Sequence, residues 1–205
     1  MIVLVDYGMG NLSSIANMLR KVGADVTISG DAAQIRKASR LILPGVGAFD
    51  HGIGRLNSSN LRSTLDDLVL CKKIPVLGIC LGMQLMTKRS DEGVLDGLGW
   101  IDAETLRFSF PLSEKTLKVP HMRWNEVNAV DPELFPGLPT EAPRFYFVHS
   151  YYVVCKNPAD VLCRTVHGHS FVSAFRHENI MGVQFHPEKS HRFGMRFFEK
   201  WVQLV

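Results

Sequence analysis

Gly78-Ile79-Cys80-Leu81-Gly82, directly after the apolar run Pro75-Val76-Leu77, is the feature that most limits how this chain can fold. A Gly-x-nucleophile-x-Gly sequence between a strand and a helix forces a sharp elbow, with the reactive side chain exposed at its tip. Glycines flank the turn because it brings neighbouring backbone very close, and the chain then enters a helix near Leu81 and Gly82. A thiol at that tip meets the positive end of a helix dipole and, beside an imidazolium, becomes a nucleophilic thiolate. Cys80 therefore reads as a catalytic nucleophile, although a cysteine after an apolar strand is, taken alone, commonly a buried core residue.

A second motif sharpens that reading. In Gly182-Val183-Gln184-Phe185-His186-Pro187-Glu188-Lys189-Ser190, His186 and Glu188 lie two apart in an extended, proline-stiffened segment, so their side chains share a face. Glu188 can accept a hydrogen bond from one ring nitrogen of His186 and fix its tautomer, while the other nitrogen faces Cys80. By itself His-Pro-Glu is also an ordinary solvated turn. With the elbow, the two motifs predict a Cys80-His186-Glu188 triad.

Attack of such a thiolate on a carboxamide creates an oxyanion, which requires preorganised donors. Two sources are visible: the Leu81 N–H, which follows the nucleophile, and the Gly45-Val46-Gly47 loop beyond another strand. The loop also reads as a plain strand-to-helix turn. Two glycines around one peptide make it easy to reorient, so activity can depend on a rearrangement there.

The first half alternates strand and helix. Ile2 to Val5 reads as a strand, followed by a helix carrying Leu12, Ile15, Met18, Leu19 and Val22 with Asn11 or Ser13 as cap. Val26 to Ile28, a short helix from Asp31, Leu41 to Leu43, a helix through Leu61, Leu65, Leu68 and Val69, and Val76 to Ile79 repeat the pattern. These elements predict a parallel sheet covered on both faces, with the elbow at a strand's carboxyl end, where open α/β sheets bind ligands. From Ile101 the pattern shifts to short strands at Ile101 to Phe110, Arg144 to Val148, Tyr151 to Cys155, Phe171 to Phe175 and Ile180 to Phe185, predicting a mainly antiparallel or mixed half. A final amphipathic helix carries Phe193, Phe197, Phe198, Trp201 and Val202 as a core-facing stripe. The segment Ser109 to Lys118 has no assignable pattern. With 205 residues and no linker or repeat, a single α/β domain over residues 1–205 is expected, burying about 70% of the surface of its unfolded chain.

Composition excludes several classes. The net charge of +3 comes from scattered Lys and Arg rather than a basic stripe, so no nucleic-acid partner is expected. Cys71, Cys80, Cys155 and Cys163 lack zinc-type pairing and read as reduced thiols of a cytoplasmic protein. Met1 leads straight into a strand and no run of about eighteen apolar residues occurs, so neither export nor a membrane span is expected. His121, His149, His167 and His191 are not spaced as a metal set and read individually as surface or packing residues, leaving no metal and no cofactor in the expected site.

The motifs also carry a resemblance. Gly78 to Gln84 (GICLGMQ) and Gly182 to Ser190 (GVQFHPEKS) resemble the two signatures of class I, triad-type glutamine amidotransferases. Asp6 to Asn11 (DYGMGN), Leu43 to Phe49 (LPGVGAF), Pro120 to Asn125 (PHMRWN) and Tyr146 to Tyr151 (YFVHSY) narrow it to the glutaminase subunits of imidazole glycerol phosphate synthase, over the whole chain. The resemblance implies a three-layer, flavodoxin-like fold with a mostly parallel central sheet. It implies hydrolysis of L-glutamine to glutamate and ammonia through a thioester on Cys80, with Val46 or Gly47 as the second oxyanion donor. Gln84, His149, Ser150 and Tyr151 would hold glutamine, and Glu92 would meet its α-amino group or remain a solvated carboxylate.

Relatives dock as heterodimers on a (β/α)8 cyclase, which uses the ammonia to make imidazole glycerol phosphate and AICAR in histidine biosynthesis. The docking side would comprise Asn11, Met122, Arg123, Trp124 and Lys189, with Trp124 either an interface anchor or a buried structural residue. This chain departs from the pattern at Arg123, where relatives usually have Gly, at His167-Gly168, and at His191-Arg192-Phe193. Those departures suggest a paralogue, some of which serve synthases of surface-sugar amidation. An independent cysteine hydrolase of the same fold is a further alternative, and the intact triad argues against a non-catalytic scaffold.

Overall fold

The computed structural model describes residues 1–111 and 117–204, so residues 112–116 of the unassigned Ser109 to Lys118 segment lie outside the described residues. In chain order the first half contains β1 (Ile2–Val5), α1 (Leu12–Lys21), β2 (Val26–Ser29), α2 (Ala32–Ile35), β3 (Arg40–Leu43), α3 (Phe49–Ser58), α4 (Arg62–Asp66), β4 (Val76–Ile79) and α5 (Leu81–Leu85). The second half adds β5 (Ala103–Arg107), β6 (His121–Glu126), β7 (Asn128–Ala129), β8 (Arg144–His149), β9 (Tyr151–Cys155), β10 (Val161–His167), β11 (His169–His177), β12 (Ile180–Val183) and α6 (His191–Gln203).

The main sheet runs β2-β1-β3-β4-β12-β11-β10-β7, with β9 pairing β11 and β5 pairing β9. Strands β2, β1, β3, β4 and β12 are mutually parallel, while β11, β10, β7, β9 and β5 extend the sheet in antiparallel fashion. Strand β1 shows why the sheet is covered on both sides: Val3 and Val5 enter one core with α3, α4 and α5, whereas Ile2 and Leu4 enter the other with α1 and α6. Asn11 caps α1 by accepting from Ser14 N–H at 3.3 Å, and α6 buries Phe193, Phe197, Phe198 and Trp201. Strands β6 and β8 form a separate two-stranded antiparallel ribbon.

Several elements differ from the sequence reading. Helix α3 was hidden by Gly52 and Gly54, whose poor propensity masks the buried stripe of Phe49, Ile53 and Leu56. The helix expected through Val69 instead breaks into the five-residue α4 and a π-helical turn over Asp67–Cys71. Strand β5 is shorter than Ile101 to Phe110, β12 ends at Val183 rather than Phe185, and β11 extends to His177. Strands β6, β7 and β10 are additional. In β6, Met122, Arg123 and Trp124 are all exposed, so no alternation marks it as a strand.

The placement of the elbow rests on three glycines. Gly78 of β4 lies in register with Gly182 of β12, and both leave room for α5. A Cβ on Gly78 would sit 2.7 Å from Met83 N, and one on Gly182 would sit 2.6 Å from Met83 Cγ. A Cβ on Gly82 would run into the Leu43 carbonyl of β3. Gly82→Ala is therefore expected to destabilise the fold by about 1–3 kcal/mol, the usual cost of overpacking a close approach. Urea unfolding checks this, and an unchanged midpoint would show that α5 can retreat without cost.

Candidate active site

Three neighbouring strands deliver the site. The carboxyl ends of β3, β4 and β12 lie side by side, so the loop from Pro44 to Gly47, Cys80 and His186 converge although they are far apart in sequence. Cys80 adopts φ 53° and ψ −108°, a sparsely populated conformation for a residue with a side chain. Its N–H donates to Val183 O at 2.8 Å, tying the elbow to β12. The sequence reading is corrected in two respects. Cys80 is only 7% exposed and is reached through the pocket rather than standing free, and α5 is a five-residue helix, which brings less dipole than a long one. Gln184 Nε2 donates to Cys80 Sγ at 3.7 Å.

His186 Nδ1 lies 2.8 Å from Glu188 Oε1, with both side chains almost wholly enclosed. Ser190 Oγ donates to His186 O at 2.6 Å and accepts Tyr146 N–H at 3.0 Å, locking the turn that carries the pair. His186 Nε2 is buried without a hydrogen-bond partner. Burial opposes charge on this ring, but the neighbouring Cys80 sulfur and the Glu188 carboxylate outweigh it, and His186 is pushed up to about 10. The arrangement therefore favours the imidazolium form of His186 beside the Cys80 sulfur. Burial pushes the Cys155 thiol up to about 12 and raises Cys163 as well, so neither competes as a nucleophile.

A cavity of about 330 Å³ opens onto Cys80 and His186 and is lined by Val46, Gly47, Leu81, Gln84, Glu92, Pro120, Val148, His149, Ser150 and Tyr151. The sequence-derived contact residues thus surround one space, of a size at the lower end of the roughly 300–1,000 Å³ range of small-molecule sites. Gln84 spends its amide nitrogen on Tyr151 O at 3.1 Å and Gln184 Oε1 at 3.0 Å. Glu92 is not a free solvated carboxylate: its Oε2 accepts Phe49 N–H at 2.9 Å and caps α3, whose Ala48 offers no side-chain cap.

Of the backbone groups expected to serve as oxyanion donors, one is already engaged. Leu81 N–H donates to Gly45 O at 3.3 Å, so it is occupied in this conformation. Gly47 has φ +112°, and Val46 is 44% exposed beside it. Beneath this loop the Tyr7 hydroxyl donates to Pro44 O. Burial, with Cys80 nearby, raises the Tyr7 phenol and keeps it a donor.

Sequence reasoning missed a histidine cluster. His121 of β6 and His149 of β8 are cross-strand partners with Nδ1 and Nε2 3.0 Å apart, and His167 stacks on His121 at 4.3 Å. Pairing of the PHMRWN and YFVHSY stretches was the missing signal, since it aligns the two histidines. His191 lies apart and stacks on Trp124 at 5.6 Å. Among the described residues no group of three or more His, Cys, Asp or Glu is placed to hold a metal ion.

Of the suggested docking residues, Met122, Arg123 and Trp124 are exposed along β6, and Lys189 sits over the Tyr146 ring at 5.7 Å. Trp124 also meets the Tyr146 ring at 6.5 Å, so Trp124, Tyr146 and Lys189 form one patch, while Arg123 lies on the opposite face of β6 with His121. Helix α1, capped by Asn11, packs against the Pro187–Lys189 turn. Trp124 is therefore a surface residue, not a buried structural one.

Residues 3–203 match the family described as Glutamine amidotransferase class-I. Imidazole glycerol phosphate synthase subunit HisH 2 of Methanococcus maripaludis is 50% identical over 99% of each chain. HisH 2 of Pseudomonas aeruginosa is 48% identical over 100% of both, and subunit HisH of Bdellovibrio bacteriovorus 45% identical over 100% of both. A solved glutamine amidotransferase superposes with a TM-score of 0.76 at 14% identity, covering 99% of each chain. PurLQS from Thermotoga maritima gives 0.69 at 16%, covering 100% of this chain and 98% of that one. At those identities the structural matches establish a common fold.

Because the Cys80 charge is one of the influences that raise His186, Cys80→Ala is expected to lower the His186 pKa from about 10. Titration of the ring by NMR checks the sign. An unchanged or higher value in the variant would remove sulfur from the electrostatics of the ring.

Proposed function

The chain belongs to the class I glutamine amidotransferase family, among the imidazole glycerol phosphate synthase subunits, and from that premise we propose that it hydrolyses L-glutamine through Cys80, His186 and Glu188 and hands the ammonia to a (β/α)8 cyclase. The observation that carries the mechanism is the buried Nε2 of His186, oriented by Glu188 through Nδ1, at the Cys80 pocket.

Glutamine enters with its side-chain amide at Cys80 and its α-amino group toward Glu92, held by Gln84 and by the backbone of His149, Ser150 and Tyr151. The Cys80 thiolate attacks the amide carbon, and the developing oxyanion takes hydrogen bonds from Leu81 N–H and from Val46 or Gly47 N–H. That step requires the Gly45 carbonyl to leave Leu81 N–H, so an isolated subunit in the observed conformation is a slow enzyme. His186 donates its proton to the leaving nitrogen, ammonia departs, and a thioester remains on Cys80. Neutral His186 then removes a proton from water as the water adds to the thioester, and collapse releases glutamate and regenerates the sulfur.

Ammonia that reached bulk water near neutral pH would be protonated and lost, which is the chemical reason for a docked partner. The exposed Met122, Arg123 and Trp124 of β6 and the neighbouring Lys189, with Asn11 on the adjoining helix, support docking on the cyclase of histidine biosynthesis. A paralogue serving surface-sugar amidation is the second reading, favoured by Arg123 and by relatives named as second subunits of their organisms.

Cys80→Ala is expected to abolish glutamate release while leaving the fold intact. Glu188→Gln should lower turnover by about two to four orders of magnitude with a smaller change in KM. Steady-state kinetics with the cyclase tests both; substantial activity in Cys80→Ala would end the nucleophile assignment. Among the described residues Arg123 has no ion-pair partner, so Arg123→Gly should strengthen association with a histidine-pathway cyclase by relieving desolvation of the guanidinium. Calorimetry reads this directly, and weaker binding would identify Arg123 as a contact of a co-adapted pair.

A further inference from the structure

We propose that His121 and His149 are positioning residues for glutamine, forming a hydrogen-bond relay that ties the exposed strand β6 to the Ser150–Tyr151 backbone of the binding pocket. The proposal rests on the glutaminase reading and adds to it a route by which the docking strand sets substrate affinity.

One fixed end dictates every direction in the relay. His149 Nδ1 lies 2.7 Å from Tyr151 O, and a carbonyl only accepts, so the proton is on Nδ1. Burial foremost pushes both His149 and His121 down to about 3, so both rings are neutral. A neutral ring protonated at Nδ1 has Nε2 as an acceptor, and His121 Nδ1 must donate to it across 3.0 Å. His121 Nε2 is then an acceptor in turn, and it takes Asn125 Nδ2 at 3.2 Å. Asn125 Nδ2 also donates to Val166 O at 2.9 Å, which anchors the far end of the chain on β10.

The relay ends at a functional carbonyl. Tyr151 O accepts both His149 Nδ1 and Gln84 Nε2, so its orientation sets the edge formed by Ser150 and Tyr151 in the pocket. At the other end, His121, Met122, Arg123 and Trp124 are consecutive in β6, with His121 fully buried and its three successors exposed. A partner that shifts the exposed part of β6 therefore re-aims His121, and with it the ring that holds the Tyr151 carbonyl. The stack of His167 on His121, itself tied to Lys118 O at 2.9 Å through Nε2, gives His121 a preferred plane from which to move.

Two substitutions separate the hydrogen bond from the packing. His121→Phe keeps an aromatic ring against His167 but donates nothing, whereas His121→Asn restores a donor where Nδ1 stood. In the complex with the cyclase, His121→Phe is expected to raise KM for glutamine about tenfold with kcat within about twofold of the parent, and His121→Asn to recover most of that loss. NMR of ring nitrogens in the unsubstituted full chain supplies a readout that requires no variant: both His121 and His149 should be neutral and protonated at Nδ1. A proton on Nε2 of either ring, an unchanged KM in His121→Phe, or equal KM values in the two variants overturns the relay. If the unsubstituted complex hydrolyses no glutamine, the glutaminase reading falls and the proposal with it; if it does while the variants match each other, the relay alone falls.

Discussion

The parallel pairing of β12 with β4 is the constraint on which the rest depends. It sets Gly182 beside Gly78, and the hydrogen bond from Cys80 N–H to Val183 O closes the pairing at the point where the chain turns. Two strands separated by about half the chain thereby end at the same level, one leading to Cys80 and the other to His186. Glycine at both registered positions lets α5 sit down on the strands, which holds Cys80 in a backbone conformation that isolated chains rarely visit. Without β12 the Cys80 thiol would have no imidazole in its pocket, and without the elbow the His186-Glu188 pair would be a buried pair facing no sulfur.

The local motifs carried most of what the sequence could reveal. The elbow, the His-Pro-Glu spacing, the parallel half and the Asn11 cap are all written within a few residues, where sterics and side-chain direction decide the outcome. What stayed hidden is long-range. His121 looks like an isolated residue until β6 pairs with β8 and sets it opposite His149, and β6 itself is masked by three successive exposed side chains. Glu92 was legible as a pocket carboxylate but not as the cap of α3, because the uncapped Ala48 lies more than forty residues away. The covering of Leu81 N–H by Gly45 O is likewise a contact between loops from different strands, although the two glycines flanking Val46 announced that this peptide could turn.

The site also shows how burial is put to opposite uses within one pocket. Around His186, the Cys80 and Glu188 charges overcome burial and favour the imidazolium. Across the same cavity, His149 has a carbonyl and another neutral ring as hydrogen-bond neighbours, and burial keeps it uncharged. Two histidines lining one cavity are thus held in different protonation states by their partners, one able to move protons and the other able only to hold a direction.

The contact between Leu81 N–H and Gly45 O makes affinity and activation separate quantities. Under the proposed mechanism the peptide must take a second orientation, and a bound molecule biases the two only by the difference between its affinities for each. A partner that grips both orientations equally would form a tight complex and leave the rate of hydrolysis unchanged, whereas one that favours the open orientation by about 5.5 kcal/mol would take a 1:99 population to 99:1. Strong association would therefore be no measure of how well a partner commands this subunit, and two partners of equal affinity could differ widely in the flux they draw from it.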